Sequence, residues 1–228
     1  MKKESRVAVI GDIHGCYYTL LNLFERIKDE CTQVFTVGDL IDRGHYSKEV
    51  VQFCIDNNIM PVRGNHEDML INAIGNSGNI SAKREQDIDL YFYNGGNKTQ
   101  KSYINSKHKK DFDVFKKELK SNGHLNWIKS LPLKYESKVL VISHAGIIEG
   151  GDEQTILWNR NIPSRLKKLQ IFGHTHLDEV DYIEEYFVNI DTACVYGNKL
   201  SALILEKSTA KIIDIEQEEL NSQDKLLK

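Results

Sequence analysis

The chain has 228 residues, of which 40% are hydrophobic and 28% charged, with a formal net charge of -3. This length and balance suit one medium domain with a substantial core and exclude a disordered or membrane-embedded chain, while the charge singles out no partner. No stretch approaches the roughly 18 consecutive apolar residues of a membrane-spanning helix, and Met1-Lys2-Lys3 is followed by too short an apolar run to make a signal peptide.

The first predicted strand is Val7-Ala8-Val9-Ile10, which runs into Gly11-Asp12-Ile13-His14-Gly15. Residues 17–27 place Leu20, Leu21, Phe24 and Ile27 at helical spacing. A second strand, Val34-Phe35-Thr36-Val37, ends in Gly38-Asp39-Leu40-Ile41-Asp42-Arg43-Gly44, after which Ser47 is expected to cap a helix reaching Ile55. Ile59-Met60-Pro61-Val62 reads as a third strand and leads to Gly64-Asn65-His66-Glu67. No strand pattern follows until residue 131. Helix-like stretches at 87–93 and 111–119 instead predict a helical insertion over about 75–131.

Beyond the insertion, Val139-Leu140-Val141-Ile142 leads into Ser143-His144-Ala145-Gly146, and Leu169-Gln170-Ile171-Phe172 into Gly173-His174-Thr175-His176. Residues 200–205 and 212–215 read as short strands of an antiparallel second sheet, and residues 217–228 as a polar, frayed tail to a single domain over 1–216. The βαβαβ start implies a layered α/β fold in which loops leaving the carboxyl ends of strands gather on one edge. Cys16, Cys31, Cys54 and Cys194 form no CxxC pair, which predicts reduced thiols in a cytoplasmic protein rather than a zinc knuckle or disulfide framework.

Five of these strands run directly into Asp, Asn or His. Of the eight histidines, His14, His66, His144, His174 and His176 sit in the strand-end clusters, whereas His45, His108 and His124 lie elsewhere. A lone Asp-x-His at a strand end is more often a turn than a site, but five such loops on one edge point to metal binding. Carboxylates mixed with neutral imidazoles suit Mn²⁺, Fe²⁺ or Zn²⁺ better than magnesium or calcium. Asp12 and His14 alternate on extended backbone, so their side chains share a face.

The ordered set Asp12-Ile13-His14, Gly38-Asp39-Leu40-Ile41-Asp42-Arg43-Gly44, Gly64-Asn65-His66-Glu67, His144 and Gly173-His174-Thr175-His176 resembles the calcineurin-like metallophosphoesterase superfamily. The Asp42-Arg43-Gly44 ending resembles its phosphoprotein-phosphatase branch, in particular compact bacterial and phage-type Ser/Thr phosphatases and symmetrical dinucleoside tetraphosphate hydrolases. Asn94-Gly95-Gly96 with Thr99, Leu157-Trp158 with Arg160, and Ile190-Asp191-Thr192 with Tyr196-Gly197 also look like segments of that branch.

The resemblance implies an α/β metallophosphoesterase-type β-sandwich of two mixed sheets flanked by helices, with a helical insertion. It implies two divalent ions, Mn²⁺ first with Fe²⁺, Zn²⁺ or Ni²⁺ as alternatives. Asp12, His14 and a bridging Asp39 would hold one ion; Asp39, Asn65, His144 and His174 would hold the other. His176 departs from the phosphoprotein-phosphatase pattern but matches the broader Gly-His-x-His, in which the second histidine completes the first site; the alternative is a solvent-facing structural histidine. Such a pair lowers the pKa of a bridging water and clamps phosphoryl oxygens during in-line displacement. His66 stands where the family has its general acid, with Asp42 orienting its ring. Arg43, Asn65 and Arg160 are the expected substrate contacts, the two guanidiniums offering fork-like donors to phosphate oxygens.

The expected activity is hydrolysis of phosphate monoesters on phosphoproteins. The alternatives are symmetrical dinucleoside tetraphosphate hydrolysis, a phosphodiesterase, or a catalytically silent metal-binding interaction module. Eight lysines between Lys98 and Lys120, set against Asp111, Asp113 and Glu118, would steer a nucleotide or polyphosphate substrate, or else form a solvated helical face. Neither a membrane nor a stably bound nucleic acid is an expected partner.

Overall fold

The computed structural model describes residues 5–75 and 82–226. The Met1-Lys2-Lys3 start, residues 76–81 of the expected insertion and the last two tail positions lie outside the described residues. The chain begins β1 (Arg6–Ile10), α1 (Tyr17–Ile27), β2 (Gln33–Thr36), α2 (Ser47–Asp56), β3 (Met60–Pro61) and α3 (Asn65–Ile74). The insertion then follows as α4 (Ala82–Tyr91), a π-helical turn over Phe92–Gly96, α5 (Asn97–Ile104), α6 (Phe112–Ser121) and α7 (His124–Ser130). The second half contains β4 (Lys134–Glu136), β5 (Leu140–Ser143), α8 (Glu153–Trp158), β6 (Leu169–Phe172), β7 (Asp181–Ile183), β8 (Phe187–Asn189), β9 (Lys199–Glu206) and β10 (Ile212–Glu219).

Two five-stranded mixed sheets result, in the orders β10-β9-β1-β2-β3 and β4-β5-β6-β8-β7. β1, β2 and β3 run parallel, as do β5, β6 and β8. In β1, Val7 and Val9 face the second sheet while Ala8 and Ile10 face the helices. Both faces of the strand are therefore apolar, as strands covered on two sides require. Phe35, Val37, Leu140, Ile142, Leu169, Ile171 and Val188 fill the seam between the sheets. α1 packs on the outer face through Leu20, Leu23, Phe24 and Ile27, an i, i+3, i+4, i+7 stripe. β3 is short and lies at the edge of its sheet, consistent with Pro61, which has no N–H to give a further neighbour.

Three expectations are corrected. The strands at 200–205 and 212–215 do form an antiparallel hairpin, but it extends the first sheet, with β9 paired to β1 in the register Val7↔Leu205. β9 buries Leu203 and Leu205 in the seam and Leu200, Ala202 and Ile204 against the helices, so it needs a place inside a sheet covered on both sides. The polar residues from Gln217 do not fray at once: β10 continues to Glu219, and Asp224 is 2% exposed. Its carboxylate accepts the Thr19 N–H and hydroxyl, both at 2.7 Å, and the Tyr18 N–H at 3.3 Å. It thereby supplies α1 with the cap that Cys16 does not provide. Finally, Ser47 is the first residue of α2 rather than its cap, and its hydroxyl is committed to the Asp42 N–H at 3.1 Å.

Candidate metal centre

The loops leaving β1, β2, β3, β5, β6 and β8 meet at one end of the sandwich. Among the described residues, ten non-glycine positions have left-handed backbone, and His14, Asp39, Asp42, Arg43 and His174 are five of them. Each such position costs about 1–2 kcal/mol, and this concentration of strain in ligand-bearing loops marks a functional site. Two glycines are required by close approach: a Cβ on Gly64 would collide with Asp39 Oδ1, and one on Gly173 with Asp12 Oδ1. Glu67, fully buried at the start of α3, gathers the second loop by accepting the N–H groups of Gly64 (2.8 Å), Asp39 (3.0 Å) and Leu40 (2.9 Å). Burial and the nearby Asp39 push the Glu67 carboxyl up to about 7, with the Gly64 N–H opposing the rise.

Asp39 stands at the middle. Its Oδ2 lies 3.4 Å from His14 Nε2, 3.5 Å from His144 Nε2 and 3.9 Å from His66 Nε2. Two sets of donor atoms, His14–Asp39–His66 and Asp39–His144–His174, each fall within 4.8 Å, and Asp39 belongs to both. Asn65 Oδ1 lies 2.7 Å from His144 Nε2 and 3.0 Å from His174 Nδ1. Both Asp12 oxygens accept the His174 N–H at 3.3 Å.

The ring orientations are set from behind. His14 Nδ1–H donates to Ile41 O at 2.8 Å and His144 Nδ1–H to Val37 O at 2.9 Å, so in both the Nε2 lone pair faces the centre. Burial, with Arg43 adding to it, holds His14 well below the usual imidazole range. Burial likewise lowers His144, and burial together with His144 brings His174 down to about 3. For Asp39, burial favours the neutral form, but His144, His66, His14 and Arg43 outweigh it and hold the carboxyl far below its usual range. Burial, Asp191 and Asp39 raise Asp12.

This donor set fits divalent cations. Neutral imidazole lone pairs, an amide oxygen and carboxylates crowd within 2.7–3.5 Å of one another. His66 Nε2 and His174 Nε2 are buried without a hydrogen-bond partner among the described residues. Electron-rich atoms packed this closely repel unless positive charge lies among them, and the N/O mixture suits a first-row transition metal.

Beside this cluster, His66 Nδ1–H donates to Asp42 Oδ2 at 2.7 Å, both residues being fully buried. Arg43 sits half-exposed, with Nη1 2.5 Å from His14 Nε2 and its guanidinium 5.5 Å from the centroid of the Tyr196 ring. Arg160 is exposed, yet near enough to lower His174 and to counter the rise of Asp191.

The calcineurin-like phosphoesterase model matches residues 5–178, most of the chain and every loop just described except the last. The chain belongs to this family. Among its relatives in the family is the symmetrical bis(5'-nucleosyl)-tetraphosphatase of Erwinia tasmaniensis, 33% identical over 153 residues that cover 64% of this chain and 46% of that protein. Another is serine/threonine-protein phosphatase 1 of Salmonella typhimurium, 28% identical over 219 residues, 88% of this chain and 92% of that one. The chain spans less than half the length of several curated relatives, down to 18% of human serine/threonine-protein phosphatase 5. The fold matches the crystal structure of a metallophosphoesterase from Sphaerobacter thermophilus with a TM-score of 0.61 at 16% identity, covering 97% of this chain and 91% of that one.

Asp12, His14, Asp39, Asn65, His66, Asp42, His144 and His174 lie together at this end of the sandwich. His176 does not join them: it is exposed and packs on Tyr196, with ring centroids 5.0 Å apart. The left-handed backbone at His174 (φ 67°) breaks the strand alternation that would have put the two side chains on one face. The residue missed is Asp191, which is 6% exposed, faces Asp12 and Asp39, and is raised to about 6 by burial. Its position just beyond β8 is one more acidic strand end, the same pattern that marked the others.

Proposed function

We propose that this protein is a metal-dependent phosphoesterase that hydrolyses phosphate monoesters, with phosphoserine or phosphothreonine proteins as substrates. The observation carrying this reading is Asp39, one carboxylate shared by two donor sets. In this reading Asp12, His14 and Asp39 hold one ion and Asp39, Asn65, His144 and His174 the other. Manganese is the first choice by the family resemblance, the N/O donor mixture itself suiting Mn²⁺, Fe²⁺ or Zn²⁺ alike. When bound, the pair supplies charge neutralisation and water activation at neutral pH.

The chain's own residues do the rest. Arg43, at the mouth of the centre, and Arg160, beside His174, bind and orient the phosphate oxygens with charge-assisted donors. Asn65 contributes its amide to the same end. His66, its Nδ1–H held by Asp42, presents Nε2 to the leaving oxygen and gives it a proton. His176, on the rim against Tyr196, takes no part. No described helix is long and apolar enough to cross a membrane, and four cysteines outside any disulfide fit a cytoplasmic setting.

A second reading, symmetrical dinucleoside tetraphosphate hydrolysis, is favoured by the identity to the tetraphosphatase and by the charge of the insertion. Burial, with Lys98, Lys101 and Lys107 adding to it, holds His45, two residues from Arg43, below its usual range. A screen separates the readings: purified protein with Mn²⁺ against a phosphopeptide, a dinucleoside tetraphosphate and an aryl phosphodiester. Phosphate release is expected to be fastest from the phosphopeptide. Preferential cleavage of the dinucleotide into equal halves would install the second reading, and inertness with Mn²⁺, Fe²⁺, Zn²⁺ and Ni²⁺ alike would leave only a silent metal-binding module.

A further inference from the structure

The helical insertion reaches the proton donor through one hydroxyl. Thr99, fully buried in α5, donates from Oγ1 to Asp42 Oδ1 at 2.5 Å and accepts the Asp42 N–H at 2.8 Å. Ser47 completes the arrangement, its hydroxyl donating to Thr99 Oγ1 at 3.0 Å while also receiving the Asp42 N–H at 3.1 Å. The other carboxylate oxygen, Oδ2, is left for His66 Nδ1–H. Four residues before Thr99, the Gly95 carbonyl accepts the Arg43 N–H at 3.4 Å. Two consecutive left-handed residues of the β2 loop, Asp42 (φ 73°) and Arg43 (φ 64°), are thus held by the segment Gly95 to Thr99.

The Asp42 N–H is shared between Ser47 and Thr99, but each hydroxyl hydrogen is directed to one acceptor. The Thr99 proton is spent on Asp42 Oδ1, so that oxygen cannot rotate toward His66 without leaving a fully buried hydroxyl unsatisfied. We infer that Thr99 is a positioning residue: by pinning one oxygen of Asp42 it fixes the plane of the carboxylate, and through it the direction in which His66 Nε2 points. The insertion is then a working part of the proton-donating machinery. This rests on His66 being the acid of the proposed reaction, whereas the geometry of the Asp42–His66 bond can be read without any turnover.

The test uses Thr99→Val, which keeps the shape and removes the hydroxyl, and Thr99→Ser, which keeps the hydroxyl. By NMR, the His66 Nδ1–H proton is expected as a downfield resonance slow to exchange in wild type and in Thr99→Ser, and broadened or absent in Thr99→Val. In the metal-loaded enzyme, Thr99→Val should lower kcat for alkyl phosphates about tenfold, with nitrophenyl phosphate, KM and metal content little changed. Thr99→Ser should restore the rate, and Thr99→Val should add nothing in a His66→Asn background. A wild-type Nδ1–H that exchanges freely would overturn the inference without any variant. So would an unaltered resonance in Thr99→Val, or a loss of rate equal for both leaving groups. If Thr99→Val does not fold, Thr99→Ala is read in the same way. Absence of phosphoesterase activity in wild type would count against the proposed function, while the resonance would still decide the role of Thr99.

Discussion

The two sheets contribute to the centre in different ways. Loops of the first sheet carry four left-handed non-glycine residues, His14, Asp39, Asp42 and Arg43, and are braced by Glu67 and Thr99. The second sheet brings His144 and His174, whose links across the seam include the Nδ1–H of His144 to Val37 O, the backbone N–H of His174 to Asp12 and the approach of both rings to Asn65 Oδ1. The first sheet builds a strained, cross-braced cradle, and the second closes it with residues that lean on that cradle. Precision at the centre is therefore stored mainly in one sheet, and the other depends on it.

The most severe way to break this asymmetry is Asp39→Asn. Because both donor sets share Asp39, elemental analysis should find both ions lost and hydrolysis at background. Retention of one ion per chain would mean that the halves are independent. His66→Asn comes next: it leaves in place the residues proposed to hold the two ions and should slow alkyl phosphates by about 10²-fold or more while sparing aryl phosphates with good leaving groups. Equal slowing of both would remove His66 from the acid role.

Glu67→Gln sharpens the comparison by loosening only the first-sheet cradle. Metal affinity, measured by competition with a chelator, is expected to fall about tenfold, as for other residues that orient ligands from behind. An unchanged affinity would show the loop to be held by its own backbone. Asp224→Ala should have the smallest effect on chemistry. It removes the acceptor of three hydrogen bonds at the start of α1 and should cost about 2 kcal/mol of stability in denaturant unfolding, with kcat/KM of the metal-loaded enzyme preserved. A matching loss of activity would place α1 in the cradle.

Much of this was legible before any coordinates. β1, β2, β5 and β6 are short apolar runs bounded by glycine or polar turns, and the Asp, Asn and His residues at their ends announce the centre. What escaped depends on contacts distant in sequence. No local pattern reports that Asp224 caps a helix some 205 positions earlier. Nor does periodicity say which sheet a β-hairpin joins, which is why β9 and β10 were expected elsewhere. Ser47 has the residue type of a cap, but the Asp42 N–H competes for its hydroxyl and wins. His176 shows the opposite failure: a residue of the right type, two places from His174, stands outward because the left-handed backbone at His174 breaks the alternation that would have put both side chains on one face.

The Asp12–His174 contact joins positions separated by 162 residues. An unfolded chain, or one half of it, holds no such constellation, so an ion bound there discriminates almost wholly in favour of the completed fold. Its binding energy then becomes conformational stability by mass action, growing with the logarithm of free ion concentration above the dissociation constant. The melting temperature of this protein should accordingly serve as a gauge of how much metal its surroundings supply.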